Sequence, residues 1–106
     1  MEVRHIPGIS SNSYQEFIRS THLSVGVYRL RAGDTDLQTP HGEDEFYLVL
    51  EGRARFTAGD RTVDVEPNLC LFVPSGEPHR FHDITDDLVV LVAFGPAEGS
   101  RATKGT

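Results

Sequence analysis

Two histidines and one glutamate in this 106-residue chain stand where they can do chemistry. His41 and Glu45 lie in Thr39-Pro40-His41-Gly42-Glu43-Asp44-Glu45-Phe46-Tyr47-Leu48-Val49-Leu50-Glu51-Gly52, and His79 lies in Val73-Pro74-Ser75-Gly76-Glu77-Pro78-His79-Arg80-Phe81. Two imidazoles and one carboxylate are a workable ligand set for one divalent ion such as Fe, Mn, Ni or Zn. In a straight strand His41 and Glu45 would stand about 13 Å apart at roughly 3.3 Å per residue, too far to share an ion. Gly42-Glu43-Asp44 reads as a polar turn, however, and a turn there puts them on adjoining strands about 4.8 Å apart. His79 must then arrive from a third strand, delivered by the Pro-x-Gly-x-Pro-His turn.

Strand parity selects the neighbours of such a site. If Glu45 faces inward, so do Tyr47 and Val49; if His79 does, so do Phe81 and Asp83. Arg80 and His82 then face the other way, which makes His82 a poor ligand while the strand stays regular. Glu45 opens an apolar strand and would be half-buried, which is costly for a carboxylate without a partner. Glu43 and Asp44 are expected to be solvated at a loop tip. His5 and His22 carry no signal beyond that of ordinary surface groups.

The elements that must position these residues are all extended. Residues 1–22 read as an N-terminal arm with a possible short strand over 14–19. Residues 23–95 form the barrel, and 96–106 read as a small, polar, flexible tail. Within the barrel, strands are expected over 23–30, 45–50, 53–58, 61–65, 69–73, 79–84 and 88–94, with Gly59-Asp60 as a hairpin turn. Residues 38–41 make a short extended piece, which Pro40 places at an edge or strand end. Leu69 to Val73 is a near-continuous apolar run, as expected of a strand buried on both faces. Cys70 within it reads as a small buried hydrophobe, and as the single cysteine it cannot crosslink the chain internally. Short strands between Gly, Pro and Asp turns, without helical periodicity, predict an all-β sandwich or barrel.

Composition bounds the partners. At 38% hydrophobic and 25% charged, the chain has the make-up of one soluble globular domain. No apolar run reaches membrane-span length, so no membrane partner is expected. The N-terminus lacks a basic-then-apolar signal pattern, so the expected compartment is the cytoplasm. A formal charge of −6 with scattered Lys and Arg argues against nucleic acid.

The two motifs resemble those of the cupin superfamily, in particular its small single-domain members. The first cupin motif runs Gly, His-x-His, Glu, Gly, and Gly33, His41, Glu45 and Gly52 fit it, with six residues between the last two. Pro74, Gly76 and His79 fit the second. The resemblance covers about Leu23 to Phe94. It departs where Thr39 replaces the first His of His-x-His, where Asp83 replaces a final Asn, and where Asn68 replaces a Gly-Asp pair. The resemblance implies a double-stranded β-helix, or jelly-roll barrel. It also implies a metal ion held by His41, Glu45 and His79, and a homodimer. Three ligands rather than four leave a 2-His-1-carboxylate face with open positions.

Two classes of function follow. The first is a metal-dependent enzyme of dioxygenase or isomerase type acting on a small organic acid or phenolic compound. Tyr47 would donate a proton or hydrogen bond, and Thr39, Tyr47 and Phe81 would line the substrate pocket in the barrel mouth. The second is a non-catalytic small-molecule binding or sensory module, which the missing fourth ligand favours.

Overall fold

Alternation of apolar and polar side chains folds the chain into antiparallel strands that wrap one core. The computed structural model describes residues 1–8, 14–38 and 42–100. Its strands are β1 (Tyr14–Arg19), β2 (Ser24–Leu30), β3 (Asp44–Ala58), β4 (Arg61–Val65), β5 (Cys70–Val73) and β6 (His79–Gly95). The described residues contain no helix, hence none long and apolar enough to cross a membrane. Hydrogen bonding orders the strands β1-β2-β6-β3-β4, with β5 also on β3. The all-β architecture expected from the sequence is the one observed.

The two long strands build the site. β3 and β6 pair along their whole length, but the register slips three times between Val49 and Arg55. Such bulges bend a strand and increase its twist. The first half of β3 therefore pairs with the second half of β6, beside β2 and β5, while the second half of β3 pairs with the start of β6, beside β4. Gly52 sits at the corner with φ of 101°, and a Cβ there would run into the backbone of Asp87 and Leu88. Expected strands 45–50 and 53–58 are thus one strand, as are 79–84 and 88–94. Glu51, Asp86 and Asp87 look like turn residues but occupy the bulged corner.

The core fills the space between the two halves. Tyr47, Val49, Val90, Val92 and Phe94 come from one side, and Phe56, Val65 and Phe81 from the other. Parity holds for Glu45, Tyr47 and Val49, all buried, and for His79 and Phe81. It fails at Asp83, which is exposed with φ of 48°. That left-handed residue shifts the alternation, so Ile84 rather than Asp83 enters the core.

Two further expectations are corrected. Cys70 is exposed, and so is Phe72, so β5 is not buried on both faces. Only Leu71 and Val73 turn inward, because β5 lies at a sheet edge on β3 with its outer side uncovered among the described residues. The tail does not leave the fold at Gly95. Ala97 is buried, the Glu98 N–H donates to Ser24 Oγ at 2.8 Å, and the Gly99 N–H donates to Glu43 Oε1 at 3.2 Å. Residues 101–106 lie outside the described residues.

Candidate functional site

Glu45 comes from the half of β3 that pairs with Phe94, and His79 from the half of β6 that pairs with Ala58. They belong to opposite sides of the barrel and meet across its interior. Glu45 Oε1 stands 2.9 Å from His79 Nε2, with both side chains almost completely buried. His79 Nδ1 lies 2.9 Å from the Glu77 carbonyl, which can only accept, so Nδ1 carries a proton. Nε2 is left facing Glu45 and, at 3.1 Å, the Tyr47 hydroxyl.

A buried polar relay sets the direction of that hydroxyl. Gln38 Nε2 donates to Asp36 Oδ2 at 2.8 Å, so the other end of the amide, Oε1, faces Tyr47 and accepts its proton at 3.1 Å. The Asp36 carboxylate also accepts from Tyr28 Oη at 2.6 Å and from the Phe81 N–H at 2.9 Å. Tyr47 therefore turns a lone pair, not a proton, toward His79. Burial, reinforced by Glu45, pushes the Tyr47 phenol far above its ordinary value and keeps it protonated.

Three electron-rich atoms thus surround one point: His79 Nε2, Glu45 Oε1 and Tyr47 Oη. Glu45 Oε1 is buried, and His79 Nε2 at 2.9 Å is the group that faces it. Such a point suits a positive charge, either a proton on Nε2 or a metal ion. In the metal-free protein, burial disfavours the imidazolium, but Glu45 and the Glu77 carbonyl outweigh it and hold His79 above the usual imidazole value. An imidazole nitrogen and a carboxylate oxygen also fit Fe, Mn, Ni or Zn. The expected ligands Glu45 and His79 are brought together; His41 and Thr39 lie outside the described residues. Among the described residues no three His, Cys, Asp or Glu side chains cluster as a metal site.

A cavity of about 300 Å³ opens beside this pair, bounded by Tyr14, Tyr28, Gln38, Glu45, Tyr47 and Phe94, with Leu37, Val92 and Glu98 completing it. A larger groove of about 470 Å³ runs from Phe56 to Phe72 on another face and holds none of Glu45, Tyr47 or His79. Phe81, expected in the pocket, is fully buried behind it. Its ring packs 5.2 Å from Tyr47 and 4.7 Å from Phe56 and so supports the tyrosine ring.

His82 turns away, with Nε2 2.7 Å from Thr57 Oγ1 and Nδ1 2.8 Å from Asp83. Asp44 is exposed, accepting the Ser75 N–H at 3.0 Å. Glu43 is not solvated: it is buried under the turn that follows β6, and accepts the Gly99 N–H there. Sequence reasoning missed Asp36, Gln38, Tyr14, Tyr28 and Glu98. The one available signal was Asp36-x-Gln38, two polar residues in an extended segment whose spacing puts them on one face.

A cupin domain profile matches residues 26–95 of the chain. An uncharacterised protein of Streptomyces coelicolor is 46% identical over 89 residues, covering 84% of this chain and 85% of that protein. Among solved structures, the DMSP lyase DddQ of Ruegeria pomeroyi is similar at 28% identity and a TM-score of 0.67 over 72% of this chain. The chain spans only 39% of that lyase. TT1209 of Thermus thermophilus is similar at 21% identity and a TM-score of 0.74, over 92% of this chain and 99% of that one. At that identity the likeness shows the fold alone. With a matching profile over most of the barrel, the chain belongs to the cupin family.

Proposed function

We propose that this cupin is a metal-dependent enzyme that acts on a small organic molecule in the cavity beside Glu45 and His79. One observation carries the reading: the buried Glu45 Oε1 and His79 Nε2 face each other at 2.9 Å, with the Tyr47 hydroxyl oxygen 3.1 Å from that nitrogen. A buried carboxylate is costly unless positive charge faces it, which a proton on His79 supplies in the metal-free protein and a metal ion would supply in its place. His41, Glu45 and His79 would hold the ion. A bound divalent ion supplies a Lewis-acid or redox centre. The Glu77 carbonyl fixes the His79 ring, and Val92 and Phe94 keep water from the inner wall. Tyr47 holds its proton on Oη at the cavity wall, directed by Gln38. Isomerase-type chemistry, which moves a proton at a defined atom, uses this arrangement more directly than dioxygenation does. An enzyme among the neighbours, the Ruegeria DMSP lyase, supports a catalytic role.

The test is elemental mass spectrometry on the full chain, purified without chelator or affinity tag. Near-stoichiometric Fe, Mn, Ni or Zn is expected, lost in His41→Ala, Glu45→Gln and His79→Ala and kept in His82→Ala. No metal in the wild type, even after reconstitution, sinks the proposal and leaves a non-catalytic ligand-binding barrel.

We also propose that a second copy of this chain covers the outer face of the sheet formed by β5, β3, β6 and β2. That face carries Cys70, Phe72, Phe46, Leu48, Leu91, Ala93, Val25 and Val27 by parity. A sheet apolar on both faces calls for a cover on each. Val27 is fully buried yet stands outside the main core cluster, and Arg29 on the same face donates to the Pro7 carbonyl at 2.7 Å. The N-terminal arm is therefore tied to this face, with Met1, Val3 and Ile6 exposed. Four strands five residues deep offer roughly 300 Å² of flat sheet, less than the ~800 Å² per partner of a standard interface. The arm supplies the remaining contact.

A further inference from the structure

All three tyrosines of the chain, Tyr14, Tyr28 and Tyr47, line the cavity beside Glu45. Phe94 adds a fourth ring, edge-on to Tyr14 at 5.9 Å. Two carboxylates, Glu45 and Glu98, stand on the wall, and no Lys, Arg or His is among its described lining residues. Aromatic faces carry negative electrostatic potential, so rings and carboxylates together make a wall that attracts positive charge.

The side farthest from β3 is the more informative. Glu45 lies level with Phe94 on β6 and Ser24 on β2, so Ser24 is two strands, or about 10 Å, away across the sheet. Glu98 is pinned there by its main chain, through Ser24 Oγ at 2.8 Å and through Arg19 Nη2 on its carbonyl at 2.9 Å. The Tyr14 ring lies over Gly26 on the same side, with its Oη buried there. The Ser24 hydroxyl is within reach of it as a hydrogen-bond partner. A carboxylate beside phenol rings and other aromatic faces suits a ligand that brings both positive charge and N–H donors.

We infer that this cavity binds a small primary amine in its ammonium form, seated between Tyr14 and Glu98. The inference rests on the reading of the cavity as the ligand site and is independent of the metal. It departs from the organic acid or phenolic compound expected from the sequence: at the Tyr14 end of the cavity an anion would face Glu98 with no cation among the described lining residues, and a phenol would bring no positive charge. It also separates an ammonium from a quaternary cation, which satisfies the ring faces but offers no donor to Tyr14 Oη or Glu98.

Four probes of similar size test it by NMR titration of the metal-free full chain at neutral pH: butylammonium, butanol, butyrate and tetramethylammonium. Butylammonium is expected to bind about tenfold more tightly than butanol, because a hydrogen bond to a charged group adds that much. Butyrate should bind most weakly, and tetramethylammonium no better than butanol. Glu98→Gln should bring butylammonium down about tenfold, and Tyr14→Phe, which keeps the ring, should weaken it by a smaller factor. Equal or tighter binding of butyrate, butanol or tetramethylammonium overturns the inference, as does absence of binding by all four. Metal retention without an amine preference sinks this inference alone, whereas an amine preference without metal retention sinks only the metal-dependent reading.

Discussion

Gln38 holds the Tyr47 proton away from His79: the Tyr47 hydroxyl donates to Gln38 Oε1 at 3.1 Å, while its oxygen stands 3.1 Å from His79 Nε2. An amide can face either way, and here the choice is made by Asp36, which accepts from Gln38 Nε2. A carboxylate three hydrogen bonds removed from His79 thus decides whether the space beside that ring receives a proton or a lone pair. Only the lone pair leaves that space suited to a cation.

Asp36→Asn should reverse the relay. The asparagine NH₂ would oppose either Tyr28 Oη or the Gln38 and Phe81 donors, all of which now point at carboxylate oxygens. With the NH₂ on the Gln38 side, the Gln38 amide flips and Tyr47 turns its proton onto His79 Nε2. A loss of about 1–3 kcal/mol in stability is expected, the cost of leaving buried donors unpaired. Thermal melts measure it, and metal titration of the same variant should show about 10- to 100-fold weaker affinity, as for other outer-shell partners of metal ligands. Unchanged stability and unchanged metal affinity would mean that Asp36 does not orient the site.

Gly26→Ala should damage the cavity from its far wall. A Cβ at position 26 would overlap the Tyr14 ring carbons and hydroxyl, so the ring must leave its place against Phe94. Overpacking of this kind costs about 1–3 kcal/mol. The expected outcome is a lower melting temperature together with altered ring-current shifts at Phe94; retention of both wild-type values would show that Tyr14 does not lie over Gly26.

Local pattern carried part of this structure and long-range pairing carried the rest. Glu45, Tyr47 and Val49 face inward as alternation predicts, because β3 is regular there. Asp83 broke the same rule, since its left-handed backbone cannot be read from residue type alone. Cys70 and Phe72 were misjudged because an apolar run does not reveal which face has a cover. Glu43 was taken for a solvated tip because its partner, Gly99, lies 56 residues away, and Asp36 escaped notice because Phe81 lies 45 residues away. Each takes a hydrogen bond from a segment that only the fold brings in.

Alkaline pH should destabilise the protein through its tyrosines. Burial raises the Tyr14 and Tyr28 phenols well above their ordinary value, helped by Glu16 at Tyr14 and by the Asp36 hydrogen bond at Tyr28. In the unfolded chain both ionise near pH 10, while the native state still holds their protons. Above about that pH the unfolded state binds fewer protons than the native state, so stability falls as pH rises; below it the full contribution is present. Ultraviolet titration should show no phenolate until circular dichroism reports unfolding. A phenolate step near pH 10 with native dichroism intact would contradict the burial of these hydroxyls.

Phe72→Glu should separate two copies of the chain. Phe72 is 64% exposed and pairs across the sheet with Phe46, itself 39% exposed, so a charge there disturbs little within one chain. In a two-fold interface the same residue appears on both sides, and each copy would bury an unpaired carboxylate against apolar sheet. Sedimentation of the wild type should give the mass of two chains, and Phe72→Glu the mass of one, with unchanged circular dichroism. The apolar loss alone, about 2 kcal/mol for each phenylalanine withdrawn from an interface, lowers association more than tenfold per site. A wild type that sediments as one chain at high concentration would leave the outer face without a second copy, and the exposure of Phe72 would then belong to the free protein.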